Sequence, residues 1–294
     1  MNNQSQKSIL GDTYDYELLQ NEFSSSEITT YKTSLLEQYS KLTKEWNDDL
    51  HSEWTARMFL AAKMIYFATL LLNTLDYLLN KNSKVVEPYL LYYSLLNCCR
   101  CLTFTLPSQL WKNGEFLVDS HSKISNVTSD CVKRINIQKG TELHNLITDT
   151  RDYREFFSYR FPGNGLKNEP QFKNINIEKI AEECKLLCEI SQFNSECLEQ
   201  SYNKNCTKGT FSLKECILEL CFTYTGDNLS IIDNEDISRI AYIFRKQKRP
   251  YNIYYTMTDG MTDDFFGSWI SENEDDDDSF NPDQRPIEIF EFHK

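Results

Sequence analysis

Two apolar stretches decide the fold: Trp54-Thr-Ala-Arg-Met-Phe-Leu-Ala-Ala-Lys-Met-Ile-Tyr-Phe-Ala-Thr-Leu-Leu-Leu72 and Pro88-Tyr-Leu-Leu-Tyr-Tyr-Ser-Leu-Leu-Asn-Cys-Cys-Arg-Cys-Leu-Thr-Phe104. Both are apolar on nearly every face, which is the pattern of helices covered on all sides. The polar break Asn80-Lys-Asn-Ser-Lys84 separates them, so they read as a central helical hairpin over 52–79 and 88–106. Ser52 and Glu53 offer a start signal for the first helix. Pro88 suits the first turn of the second, where Glu87 complements the helix dipole. Pro107 stops that helix, because the residue before a proline resists helical dihedrals. Lys63 interrupts the first run, and Met58–Leu72 is shorter than the roughly 20 residues that cross a bilayer. The expectation is a buried helix and no membrane.

Outward from the hairpin, residues 1–28 are polar and unpatterned, which predicts a flexible lead. From Thr29, Tyr31, Leu35, Leu36, Tyr39, Leu42 and Trp46 recur at helical spacing. Residues 107–175 read as loop-rich, punctuated by Trp111, Gly114, Gly140, Pro162, Gly163 and Gly165, with one short helix over 142–159. Ile180, Ala181, Cys184, Leu187, Cys188 and Phe193 place an amphipathic helix over 177–199. Further helices are predicted over 213–224 and 233–246. Residues 251–257 and 286–292 favour β-branched and aromatic side chains and predict an antiparallel strand pair, with an acidic loop between. The predicted fold is mainly α: a flexible lead (1–28), a helical core with a loop-rich extension (29–175), and a helical C-terminal region with a β pair (176–294).

Only 9 glycines and 7 prolines among 294 residues argue against a loop-rich β-sandwich. The net charge of −13 is concentrated after Asp227, above all in Glu272-Asn-Glu-Asp-Asp-Asp-Asp278, which excludes a general nucleic-acid coat. The opening Met-Asn-Asn-Gln-Ser-Gln has neither a basic nor an apolar leader. With 10 cysteines this predicts a cytoplasmic protein with free, mostly buried thiols.

At Val86-Glu-Pro-Tyr-Leu-Leu-Tyr-Tyr-Ser-Leu-Leu-Asn-Cys-Cys-Arg100 the chain resembles the core helix of YaaC-like proteins and of the wider HEPN-type helical domains. Asp119-Ser-His-Ser-Lys123 stands where the YaaC-like family has a His-Gly element. Arg151-Asp-Tyr-Arg-Glu-Phe-Phe-Ser-Tyr-Arg160 is similar to its following basic-aromatic segment. The resemblance spans about residues 50–165. It implies a microbial protein of an antiviral-defence or toxin system, since HEPN-type domains are often ribonucleases with an Arg followed four to six residues later by a His. Here His51, His121, His144 and His293 all lack an Arg at that interval. The expected function is therefore binding of protein or RNA, with a homodimer as one open form. The alternative is a metal-independent ribonuclease in which His121 or His144 meets Arg100 in space. A third reading is an acidic inhibitor or nucleic-acid mimic.

The RNA-binding candidates are Lys123, Lys133, Arg134, Arg151, Arg154 and Arg160, with Lys139 and Tyr159 beside them. Guanidinium forks suit phosphates and aromatic faces suit unstacked bases. Against this, Asp130, Glu142, Asp149, Asp152 and Glu155 are interspersed and could pair with them on a solvated face. Arg100 on an apolar helix needs an acidic partner or a ligand, and Asp76 is a candidate partner. Cys98, Cys99 and Cys101, the pair Cys184/Cys188 and the pair Cys216/Cys221 lack zinc-site spacing, and the carboxylates around Asp259–Asp264 lack nuclease spacing. No metal and no cofactor is expected.

Overall fold

The computed structural model describes residues 10–11, 14–163, 165, 172, 174–206, 209–247, 249–270 and 279–292. His293, Lys248, Asn164 and the acidic run 272–278 lie outside the described residues. The chain is mainly α-helical with one small antiparallel sheet. In order come α1 (Glu17–Glu22), α2 (Ser25–Lys44), α3 (Asp48–Asn80), α4 (Glu87–Phe104), α5 (His121–Ile135), α6 (Ile137–Arg160), α7 (Ile177–Asn205) and α8 (Glu215–Phe222). Then follow β1 (Thr223–Thr225), β2 (Ser230–Ile232), α9 (Asn234–Lys246), α10 (Ile253–Thr256) and α11 (Asp259–Gly267).

The α3–α4 hairpin is the centre, as the apolar pattern predicts. α4 packs on α5, α6 and α7, whereas α3 carries α8, α9, α10 and α11. α3 begins four residues before Ser52, because the Asn47 side chain accepts the Leu50 N–H. The helix is long and apolar enough to cross a bilayer, contrary to the length argument from Met58–Leu72, but 72% of its apolar window is buried inside the protein. Lys63 does not break it, since its ammonium pairs with Asp233 and Asp236 at the start of α9. That start is capped by Asp233, which accepts the Asp236 N–H.

Three expectations are corrected. Residues 107–175 hold two full helices in place of one short one: Ser120 caps α5 and Asn136 caps α6. From Tyr14 onward the supposed flexible lead is packed, with Tyr14, Tyr16, Leu19 and Phe23 all buried. The buried carboxylate of Glu189 accepts the N–H groups of Leu18 (3.2 Å) and Leu19 (2.7 Å) at the start of α1. α7 packs on both α4 and α2.

The third correction moves the β pair. The strands are β1 and β2, paired Thr223 to Ile232, around the turn residues Gly226-Asp-Asn228. At 251–257 the chain instead turns into α10, because α7 supplies acceptors for its first amides. Ser195 Oγ takes the Ile253 N–H (3.1 Å) and Gln192 Oε1 takes the Tyr254 N–H (2.9 Å). At 286–292 a side chain replaces a strand. The Asn73 amide donates to the Ile287 carbonyl (2.9 Å) and accepts the Ile287 N–H (3.0 Å). Both Ile287 backbone groups are thus satisfied without a ladder.

A buried polar network ties α2, α4 and α7 together. Tyr31 donates to Asn194 Oδ1 (2.8 Å), Asn194 donates to Thr105 Oγ1 (3.0 Å), and Tyr39 donates to the Thr105 carbonyl. All 10 cysteines are free and 7 are buried. Cys188 and Cys98 approach to 3.8 Å between sulfurs.

Candidate functional site

The residues that the fold gathers come from α4, α5 and α6. On α4, Tyr92 and Tyr93 precede Arg100 by two turns. Helical side chains tilt toward the N-terminus, so Arg100 reaches back toward both rings. α5 opens with His121 in its first turn. The His121 Nδ1 lies 2.9 Å from the Tyr92 hydroxyl, and the edge of the Tyr93 ring meets the imidazole at 6.3 Å between centroids. From α6, the Arg154 guanidinium lies over the Tyr92 ring, 5.0 Å from its centroid.

The electrostatics follow from this grouping. His121 is held below the ordinary imidazole range by burial first, then by Arg100 and Arg154. The positive end of α5 acts in the same direction. The ring is therefore neutral at pH 7. Burial raises the Tyr92 hydroxyl, opposed by Arg154 and more weakly by Arg151. Burial lowers Arg100, opposed by Tyr92, Tyr93 and Cys99.

Arg100 has no ion pair among the described residues, and Asp76 is not its partner. Its Nε is buried with no hydrogen-bond partner. Arg151 and Arg154 differ, since they pair with their sequence neighbours Asp152 (3.4 Å) and Glu155 (3.0 Å). Arg154 keeps its Nε buried and unpartnered. The result is a neutral imidazole and a phenol flanked by guanidinium groups, one lacking a carboxylate among the described residues. Such a set can hold an anion and move a proton at His121.

The other candidates lie elsewhere. Lys123 pairs with Asp119 (2.7 Å) on the exposed start of α5. Lys133 and Arg134 sit at the opposite end of that helix from His121, roughly 18 Å along its axis, and Lys133 faces Asp130 at 3.7 Å. Lys139 is gripped by Glu22 and Glu183 and is structural. Arg160 and Tyr159 are exposed at the end of α6. His144 has its Nδ1 buried without a partner, and no hydrogen bond or ion pair among the described residues joins it to Arg100 or His121.

Reading the sequence missed Tyr92 and Tyr93 as site residues. The available signal was their spacing ahead of Arg100 on one helix. It also overlooked Arg57, which is almost fully buried. Arg57 binds Glu53 (2.6 Å) and the Gln109 carbonyl (2.6 Å) between the Trp54 and Phe116 rings, each 4.5 Å away. Among the described residues, no three His, Cys, Asp or Glu side chains gather as a metal-holding group.

The site belongs to a mainly α-helical protein with an arginine–histidine–tyrosine cluster beside its central hairpin. Comparison of the chain with protein-family models, with curated proteins and with solved structures gives no match.

Proposed function

We propose that this chain is a HEPN-like protein that acts by binding RNA, with Arg100, Arg154 and His121 receiving a phosphodiester. The observation that carries the reading is Arg100: a partly buried guanidinium with no carboxylate partner among the described residues, which acts together with Arg154 on the neutral His121 imidazole. A desolvated cation in that position is stabilised by a bound anion, and guanidinium forks match phosphate oxygens. A role in microbial antiviral defence or a toxin system fits the resemblance of the α4 helix. Anisotropy of a fluorescein-labelled 12-nucleotide RNA tests the site. Arg100→Ala and Arg154→Ala should each weaken binding by about tenfold, the loss of a charge-assisted hydrogen bond. Affinities equal to that of the parent chain would remove the reading.

One observation favours a second reading, metal-independent RNA cleavage. The Tyr92–His121 contact holds a neutral imidazole by Nδ1, leaving Nε2 for a 2′-hydroxyl proton. RNA incubated with the protein in excess chelator should then be cut. His121→Ala should abolish the cutting and His144→Ala should leave it. An intact substrate with the parent protein rejects cleavage but leaves binding standing.

A further inference from the structure

The opposite side of the central hairpin carries a second basic-aromatic feature. Between Asp236 and Asp259 the chain has no acidic residue, yet it holds Arg239, Arg245, Lys246, Lys248 and Arg249 with Tyr242, Tyr251, Tyr254 and Tyr255. That composition stands out in a chain of net charge −13. The fold turns much of this segment into one wall and floor of an open groove of about 1010 Å³. One stripe of α9 lines it from Glu235 through Arg239 and Tyr242 to Lys246, and Tyr251, Tyr255 and the first turn of α11 face that stripe.

The groove is polarised along its length. At one end Arg239 is committed to Glu235 (3.5 Å) and Asp264 (3.9 Å). Asp259 also lines it, at the start of α11. At the other end Lys246 has no ion pair among the described residues, and its ammonium rests 5.5 Å from the Tyr242 ring centroid. Arg249 lies 5.5 Å from the Tyr251 ring and is held by Glu199 (3.1 Å) and Asn203 (3.2 Å). Tyr242 and Tyr255 are 52% and 45% exposed, large costly surfaces to leave wet in a concavity.

We infer that the basic half of this groove binds single-stranded nucleic acid, with Tyr242 and Tyr255 stacking bases and Lys246 taking a phosphate. Cation-and-tyrosine pairs repeated along a groove are what an unpaired strand requires, because every base has a stackable face and every step a phosphate. The acidic end sets where the strand stops. Duplex hides its base faces and does not fit this scheme. The inference is independent of the Arg100 site, which faces α5 and α6 from α4, while the groove lies in the layer carried by α3.

The test uses the full chain and a fluorescein-labelled 12-nucleotide oligouridylate at several salt concentrations. Tyr242→Ala should weaken binding roughly tenfold, within the range for one lost base stack. Lys246→Gln should reduce the slope of log affinity against log salt by about 0.7, one phosphate contact on a single strand. Both side chains are exposed, and circular dichroism checks that the variants fold. Ultraviolet crosslinks should fall on peptides within 242–255. The inference is overturned by crosslinks confined to 92–121, by affinity lost only in Arg100→Ala, or by equal affinity for a 12-base-pair duplex. Absence of any oligouridylate binding overturns it as well. Loss in Tyr242→Ala with none in Arg100→Ala keeps the groove and removes the Arg100 reading.

Discussion

Arg57→Ala is expected to destabilise the protein by about 3–5 kcal/mol, the usual cost of leaving one member of a buried ion pair alone. Arg57 is 1% exposed. Its removal strands the Glu53 carboxylate, whose pKa burial already raises and which Arg57 pulls back down. It also removes the donor for the Gln109 carbonyl and empties the space between Trp54 and Phe116. Arg57→Lys should rescue little, because an ammonium has no planar face to stack between two rings. The double variant Glu53→Gln/Arg57→Met should recover most of the loss, since a buried pair replaced by matched neutral groups is often close to neutral. Urea unfolding at pH 7 measures all three. A single-variant loss below about 1 kcal/mol, the level of an exposed pair, would show that the pair is not buried in solution.

The second large effect is a pair of opposed pH dependences. Burial in an aromatic nest lowers the His51 ring from 6.5 to about 4, against the opposing pull of Asp48. Its Nδ1 accepts the Trp46 indole N–H (3.2 Å) and its ring stacks on Phe211. The unfolded chain therefore binds the His51 proton first. Stability from this group is complete above pH 6.5 and is lost as the pH falls toward 4. Glu189 runs the other way. Burial lifts it from 4.5 to about 7, although the Leu19 and Leu18 amides and Lys185 hold it down. The folded state keeps that proton longer, so stability falls as the pH rises from 4.5 to 7.

Each shift is worth about 3 kcal/mol at full extent, and over pH 4.5–6.5 the two nearly cancel. His51→Gln, which keeps an acceptor for Trp46 but does not titrate, should expose the Glu189 slope. Its stability relative to the parent should fall as the pH rises through that window. Glu189→Gln should show the reverse. Urea unfolding at half-unit steps from pH 4.5 to 7.5 tests this, and two variants running parallel to the parent would refute it.

The parts legible in the sequence were those with a local physical signature. The α3–α4 hairpin was readable because both helices are apolar around their whole circumference, and α7 because its apolar residues repeat at the helical period. α5 was also readable: Ile124, Cys131, Val132 and Ile135 recur at helical spacing on its buried face, a signal passed over among the turn residues of 107–175. The strands at 251–257 and 286–292 had good β composition, but Gln192, Ser195 and Asn73 met their backbone groups first. Tertiary contact overrides β preference easily, because that preference is mostly a statement about neighbours.

By itself the sequence determined a mainly α protein organised on a central hairpin, and it singled out Arg100 as a residue that a packed core does not explain. Only the tertiary structure decided what Arg100 meets. His121 and Arg154 meet the Tyr92 ring from two other helices, with Arg100 close enough to act on the imidazole, and Asp76 is not its partner. It also separated Lys133 and Arg134 from that group and set Tyr242, Tyr251 and Tyr255 along a groove. Helical period is a property of neighbours three and four residues apart and can be read along the chain. The grouping of guanidinium, imidazole and phenol depends on how three helices cross, and no local spacing encodes that.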